Sequence, residues 1–342
     1  MTGYTPGEQP APGERVVKLN TNESPFPPSP RVVDAIRAVS PESLRRYPSP
    51  MADDFRVAAG RLHRVPPECI LAGNGSDDIL QIALRGYCGP GDVLACPHPT
   101  YSLYPVLAEL AGVRCVPVPW EAGWRLPADA LLAESPRAIF FANPNSPSGT
   151  SVPPSEVAAL ADRTDALVLV DEAYADFAED NCLGLVGRHR NVLVARTLSK
   201  GYGLAGLRFG YAIGDADVIA QMAKVKDSYN CDVIAIAAAC AAIDDQSYAR
   251  STWAAVRAER VRLSGELERR HFAVIPSQGN FLLATTPGSV HGRPLYAALK
   301  ARGVLVRFFD KPGLDDKLRI SIGTREENDA FLAALDSAIA TR

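Results

Sequence analysis

From about residue 55 the chain alternates short, β-branched apolar runs with Ala/Leu-rich stretches of helical period, the pattern of βαβ units around a sheet buried on both faces. The runs VLACP (93–97), RCVPV (114–118), AIFFAN (138–143), ALVLVDE (166–172), NVLVART (191–197) and RFGYAIG (208–214) predict strands. A helical region follows over 215–245. Its apolar core, 233–243, reads as a buried helix, because a membrane-spanning helix needs roughly 20 such residues. A long charged helix over 253–270 then leads into a β-α-β-α unit built from FAVIPSQGNFLLAT, PLYAALKARG, VLVRFF, KLRISIG and EENDAFLAALDSAIA. Residues 1–30, rich in Pro and polar groups, predict an extended arm that packs on something else. The sequence contains no internal repeat.

Composition narrows the function classes. The 342 residues, 47% of them apolar, are enough for one large domain and a smaller one. A formal charge of −3, with Lys and Arg spread along the chain, offers no basic stripe for a nucleic acid. The first residues, MTGYTPGEQPAPGERVV, lack the charged start and apolar stretch of a secretory signal, so a cytoplasmic protein is expected. Seven scattered cysteines without a C-x-x-C pair read as buried reduced thiols. The five histidines are isolated, and no metal is expected.

Ligands of an open α/β sheet bind beyond the carboxyl ends of its strands, and here those ends are polar. Gly73-Asn74-Gly75-Ser76-Asp77-Asp78 follows ECILA, and His98-Pro99-Thr100-Tyr101 follows VLACP. Asn143-Pro144-Asn145-Ser146-Pro147-Ser148-Gly149 follows AIFFA, Asp171-Glu172-Ala173-Tyr174 ends ALVLV, and Ser199-Lys200 ends VLVART. Five ends could converge on one site. GNGSDD opens a helical run, so its N–H groups suit a phosphate; alternatively, Gly turns the chain and Ser76 simply caps the helix. NPNSPSG is equally well a Pro/Asn turn. Asp171 ends a strand so apolar that its carboxylate needs a cationic partner, either an arginine or the protonated ring nitrogen of a pyridine cofactor. Lys200 could be a solvated surface lysine. Its company of Ser199, a Gly-rich turn and Arg208 instead suits a desolvated amine of lowered pKa that forms a Schiff base, with Arg208 on a phosphate.

SKGYGLAGLRFGY (199–211), together with GNGSDD, NPNSPSG and DEAYADF, resembles the signature of the fold-type I pyridoxal-phosphate aminotransferases, and within them the histidinol-phosphate branch. The likeness runs from TPGEQP and KLNTNESPFPPSP to LRISIGTREEND. It implies a large, mainly parallel sheet domain sandwiched by helices (31–249) and a smaller α/β domain (250–342) with the arm 1–30. Lys200 then matches the lysine that holds pyridoxal 5′-phosphate as a Schiff base and moves protons. Asp171 matches the carboxylate on the pyridine nitrogen, Tyr174 the tyrosine on the phenolic oxygen, and Tyr101 the aromatic stacked on the ring. The phosphate falls to Gly75, Ser76, Asp77, Ser199 and Arg208, with Tyr47 reaching in from the other subunit of a homodimer. Read without the resemblance, Tyr47 would simply pack beside two prolines. Many relatives read N-P-N-N-P-T-G, with the asparagine before P-T-G on the phenolic oxygen. Here that position is Ser146, so either Ser146 substitutes or Asn145 swings in, the latter being preferred.

The resemblance also implies the substrates. Arg319 matches the carboxylate clamp, Arg307 and Arg319 a pocket taking both a phosphate and the carboxylates of glutamate or 2-oxoglutarate, and Tyr4 and Asn22 arm residues near the substrate. Arg307 could equally be a strand-edge surface charge, and Asn22 a turn residue. SYNCD (228–232) resembles a segment of the histidinol-phosphate enzymes. Rival readings are a threonine-phosphate decarboxylase, an aromatic amino-acid aminotransferase and a coenzyme-binding module without turnover.

Overall fold

The apolar runs become strands because they are covered on both faces. In chain order they are β1 (Val17–Lys18), β2 (Ile70–Gly73), β3 (Val93–His98), β4 (Arg114–Pro119), β5 (Ala138–Ala142), β6 (Leu167–Asp171), β7 (Val192–Thr197), β8 (Gly210–Ile213), β9 (Ala273–Ile275), β10 (Phe281–Thr285), β11 (Val304–Leu305), β12 (Arg307–Phe308) and β13 (Lys317–Ser321). This computed structural model describes residues 3, 6–11, 13–288 and 290–340.

The large sheet has the order β2-β8-β7-β6-β5-β3-β4; β8 is antiparallel to both neighbours and every other pairing is parallel. Successive side chains go to opposite faces. Leu94, Cys96, Phe140, Leu169 and Leu193 pack on the helices Ser76–Tyr87 and Leu103–Leu110. Ile139, Phe141, Val168, Val170 and Val194 face the other way, onto Ala128–Ala133 and Pro154–Ala161. At the β2-β8 edge, Ile70, Ala72, Tyr211 and Ile213 bury against the helix Val233–Asp244. That apolar segment is therefore a core helix, and among the described residues no helix is long and apolar enough to cross a membrane.

The C-terminal unit is an antiparallel sheet, β12-β13-β10-β9, packed against the helices Gln246–Arg269, Gly292–Lys300 and Arg325–Ala340 through Val256, Leu263, Leu295, Leu318, Ile320 and Phe331. The arm joins this unit: β1 pairs in parallel with β11, and Leu19 enters the same core.

Several boundaries differ from the sequence reading. The region 215–245 is two helices, Ala216–Ala223 and Val233–Asp244, because polar side chains between them are held by hydrogen bonds outside any helical ladder. Asn230 Nδ2 donates to Ala72 O and Asp78 Oδ2, and Asp232 caps the second helix by accepting from Ala235 N. The charged helix starts at Gln246, seven residues before 253, since Asp245 caps it by accepting from Tyr248 N. The boundary at 249/250 thus cuts a continuous helix. Strand β8 begins two residues after 208, because Arg208 holds a left-handed φ of 56°.

Candidate active site

The carboxyl ends of β2, β3, β5, β6 and β7 open onto one cavity of about 520 Å³. Ser76, Asp77, Tyr101, Ser146, Asp171, Tyr174, Ser199 and Lys200 line it from the sheet, Thr21 and Asn22 from the arm, and Arg307, Phe309 and Arg319 from the C-terminal unit.

One end is built for an anion. The helix Ser76–Tyr87 is capped by Gly75, at φ 89°, so no cap side chain takes the first-turn N–H groups. Ser76 is the first helical residue and not the cap, which removes the purely structural reading of that serine. Arg208 Nη1 donates to Ser199 Oγ at 3.3 Å, and Nη2 lies 3.4 Å from Asp77 Oδ2. A Cβ at Gly75 would sit 2.6 Å from Arg208 Nη2, and one at Gly210 would overlap the Ser76 nitrogen. The two glycines therefore let helix N–H groups, a hydroxyl and a guanidinium converge, a donor set that fits a phosphate.

Asp171 ends β6 at 3% exposure. Its Oδ2 accepts from Tyr104 Oη at 3.0 Å and its Oδ1 from Ala173 N at 3.2 Å. Burial pushes its pKa up to about 7, Asp77 adds to the rise, and the Tyr104 hydrogen bond opposes it. None of the ion pairs among the described residues includes Asp171. The nearby Arg196 is committed to Glu172 and Asp176, at 2.7 and 3.3 Å, so the arginine-partner reading fails. A buried carboxylate that lines the cavity and is in no ion pair among the described residues fits a protonated ring nitrogen.

Lys200 follows β7, and its Nζ donates to Thr21 O at 2.9 Å. Burial lowers its pKa to about 8; Arg319 adds to the shift, while Glu23 and Asp77 oppose it. The amine is bonded to the arm inside the cavity, so the reading of a solvated surface lysine is set aside. Tyr174 lies beside it, the amine 5.9 Å from the ring centroid, and its hydroxyl accepts from Asn22 Nδ2 at 3.0 Å.

Asn145 is not among the residues that line the cavity. Its Oδ1 accepts from Thr100 Oγ1, and its Nδ2 donates to Pro99 O and Ser148 Oγ, so the side chain braces the loop at 1% exposure. Ser146 is the one that faces the cavity, where its Oγ accepts from Arg319 Nη1 at 3.2 Å.

Arg307 and Arg319 lie directly opposite each other on β12 and β13. Arg319 Nη2 donates to Asn20 O at 2.9 Å, and Arg307 Nη1 donates to Pro6 O at 3.0 Å. Each guanidinium carbon lies 5.6 Å from the Phe309 ring, so the rings and charges share one wall. Arg307 faces the cavity and is no mere strand-edge charge. Tyr101 also lines the cavity, with its hydroxyl on Asp77 Oδ1 at 3.1 Å. Tyr47 does not line it: 80% exposed, it stacks on Tyr229 with centroids 4.4 Å apart. Tyr4 lies outside the described residues.

Tyr104, Asn20 and Phe309 escaped the sequence reading. Tyr104 had a signal, three positions after Tyr101 at the start of a helix; the other two are brought in only by tertiary packing.

The profile of the family described as aminotransferase class I and II matches residues 14–335. The chain is 45% identical to histidinol-phosphate aminotransferase 1 of Nostoc sp. over 342 residues, covering 100% of this chain and 97% of that one. It is also 45% identical to the histidinol-phosphate aminotransferase of Rhodopirellula baltica, covering 99% and 94%. Among solved structures, the histidinol-phosphate aminotransferase of Sinorhizobium meliloti in complex with pyridoxal-5′-phosphate superposes with a TM-score of 0.89 at 28% identity, covering 96% and 92%.

Proposed function

The chain belongs to the class I and II aminotransferases, and from that premise we propose that it moves the amino group of L-histidinol phosphate to 2-oxoglutarate with pyridoxal 5′-phosphate, in histidine biosynthesis. One observation carries the substrate: two arginines face each other across β12 and β13. Like charges directly opposite on a sheet repel, and the arrangement becomes favourable when an anion lies between them. A phosphate monoester is such an anion, and a dicarboxylate can use the same arginines in the second half of the cycle.

The residues then divide the work. Ser199, Arg208 and the N–H groups of Ser76 and Asp77 would hold the coenzyme phosphate, Asp171 its ring nitrogen, and Tyr174 with Ser146 its phenolic oxygen. When bound, the coenzyme supplies an electron sink for the bond pair left at the substrate Cα. Lys200 Nζ, neutral on the alkaline side of about 8, takes the Cα proton and redelivers it. Tyr101 covers the ring face, and Arg319 and Arg307 orient the substrate anion. Because donor and acceptor use these arginines in turn, the kinetic pattern is ping-pong.

In the proposed cytoplasmic homodimer, Tyr47 reaches the phosphate end of the partner's site. Its exposure, with only Tyr229 stacked against it, supports that role.

The test is the visible spectrum of the coenzyme-loaded protein. Histidinol phosphate alone should bleach the band, and 2-oxoglutarate should restore it. A band that responds to phenylalanine instead would make the protein an aromatic aminotransferase, and carbon dioxide release from threonine phosphate would make it a decarboxylase.

A further inference from the structure

Behind the site lies a buried ion cluster that the chemistry above leaves unused. Glu172 follows Asp171, Asp176 lies two residues beyond Tyr174, and Arg196 lies four before Lys200. Arg196 Nε and Nη2 both reach Glu172 Oε2, at 2.8 and 2.7 Å, and Nη1 lies 3.3 Å from Asp176 Oδ1. The other Glu172 oxygen accepts from the backbone N–H of Cys182. All three side chains are at most 10% exposed, and two carboxylates share one guanidinium. Burying such a cluster is costly, so it is a poor device for stability alone.

Its position supplies another use. The second Asp176 oxygen, Oδ2, is turned toward Gly201, so close that a Cβ on that residue would overlap it. On the other side, the Gly201 carbonyl accepts from Trp253 Nε1 at 2.6 Å. Gly201, the residue that follows Lys200, therefore lies between a carboxylate anchored by Arg196 and an indole from the helix Gln246–Arg269.

We propose that Asp176, fixed by Arg196, is a positioning residue for Lys200: it seats the Gly201 peptide against Trp253 and thereby aims the amine into the cavity. The proposal rests on the reading of Lys200 as the reacting amine. It also explains the glycine at 201, whose φ is not left-handed: the residue is required there for space and not for conformation.

The test uses the coenzyme-free protein. Trace acetylation followed by peptide mass spectrometry gives the pH at which Lys200 is half-reactive. In wild type that midpoint is expected at about 8. Asp176→Asn keeps the shape and removes the anchoring charge, and Gly201→Ala crowds the same contact from the other side. The groups around the amine (Arg319, Arg208, Glu23, Asp77 and the Tyr174 hydroxyl) are unchanged in both, as is Glu172, which faces Asp176 across Arg196. A displaced Lys200 regains water, so the midpoint should move toward the ordinary lysine value of about 10.4. In the loaded enzyme, the rate constant of the glutamate half-reaction should fall by about tenfold to 100-fold, with KM little changed. A midpoint that stays at about 8 in folded variants overturns the proposal. Should either variant fail to fold, Trp253→Phe, which removes only the indole donor, gives the same measurement. A wild type that never converts glutamate sinks the reading of the site; turnover with an unmoved midpoint overturns this proposal alone.

Discussion

Lys200 Nζ donates to the carbonyl oxygen of Thr21, so the amine that follows β7 is met by the N-terminal arm. The neighbouring arm residues do the same for other groups: Asn20 O accepts from Arg319, and Asn22 Nδ2 donates to the Tyr174 hydroxyl. Asn22, at φ 55°, is fixed by Ser321 Oγ, which donates to its Oδ1 and accepts from its N–H. Three consecutive residues thus join the arginine-bearing wall of the small unit to Lys200 and Tyr174 of the large sheet.

Lys200→Ala removes the amine and leaves the strands around it intact, because the side chain points into a cavity and away from the apolar clusters. Turnover should be lost while the circular dichroism spectrum stays that of wild type. Turnover near the wild-type rate would take the lysine out of the mechanism.

Asp171 predicts a pH dependence with a definite sign. Its folded pKa of about 7 lies above the unfolded value of about 3.9, so between these two the native state holds a proton that the unfolded chain has lost. The contribution to stability is full below the unfolded value and is lost as pH rises through about 7. Asp171→Asn cannot ionise. Coenzyme-free variant and wild type should therefore melt close together at low pH, with the variant melting higher at pH about 8. In the loaded enzyme the same variant should react about 100-fold more slowly or worse, the size expected when a preorganised charge partner is removed. Melting curves at the two pH values decide the first part, and single-turnover rates decide the second.

Neighbouring residues in the loop after β5 should behave differently. Asn145→Ala leaves Thr100, Pro99 and Ser148 without their shared partner, a cost of about 1–3 kcal/mol that lowers the melting temperature. Ser146→Ala should melt like wild type and lose activity, because Ser146 faces Arg319 and the cavity. The reverse outcome, a silent Ser146→Ala and an inactive but stable Asn145→Ala, would make Asn145 the ring contact.

This loop shows where sequence stops being legible. The strands could be read because each must bury two faces, as Phe140 and Phe141 do by pointing to opposite sides. The five polar strand ends could be read because the carboxyl ends of an open α/β sheet are where its ligands bind, so polar runs directly after buried strands mark a site. Which of Asn145 and Ser146 turns inward depends on how the loop packs against Thr100 and Ser148, and no pattern in NPNSPSG encodes that. A helix start is hidden where a side-chain cap sets it outside the apolar pattern, as Asp245 does for Gln246–Arg269. The Asp171–Tyr104 hydrogen bond joins residues 67 apart and becomes visible only once β6 lies beside the helix Leu103–Leu110.

Arg307→Ala tests the paired arginines. Removing a charged hydrogen-bond donor worth about 1.5–3 kcal/mol should raise the KM for histidinol phosphate by about tenfold to 100-fold. Relief of the facing charges should leave the ligand-free protein no less stable. An unchanged KM would mean that the phosphate is held elsewhere in the cavity.

Tyr47 gives the sharpest test of a shared site, because its ring is exposed and stacks on Tyr229 outside its own cavity. If it serves the partner, Tyr47→Ala and Lys200→Ala are defects in different parts of one composite site. A mixed dimer then pairs the intact Lys200 of one subunit with the intact Tyr47 of the other, which makes one complete site and one doubly defective one. After subunit exchange, half of the dimers are mixed, so the mixture should recover about a quarter of wild-type activity from two nearly inactive parents. If Tyr47 serves its own subunit, every mixed dimer carries two broken sites and mixing recovers nothing. Activity measured before and after exchange, with the dimer verified by sedimentation, separates the two arrangements, and a protein that sediments as a monomer at full activity excludes the shared site.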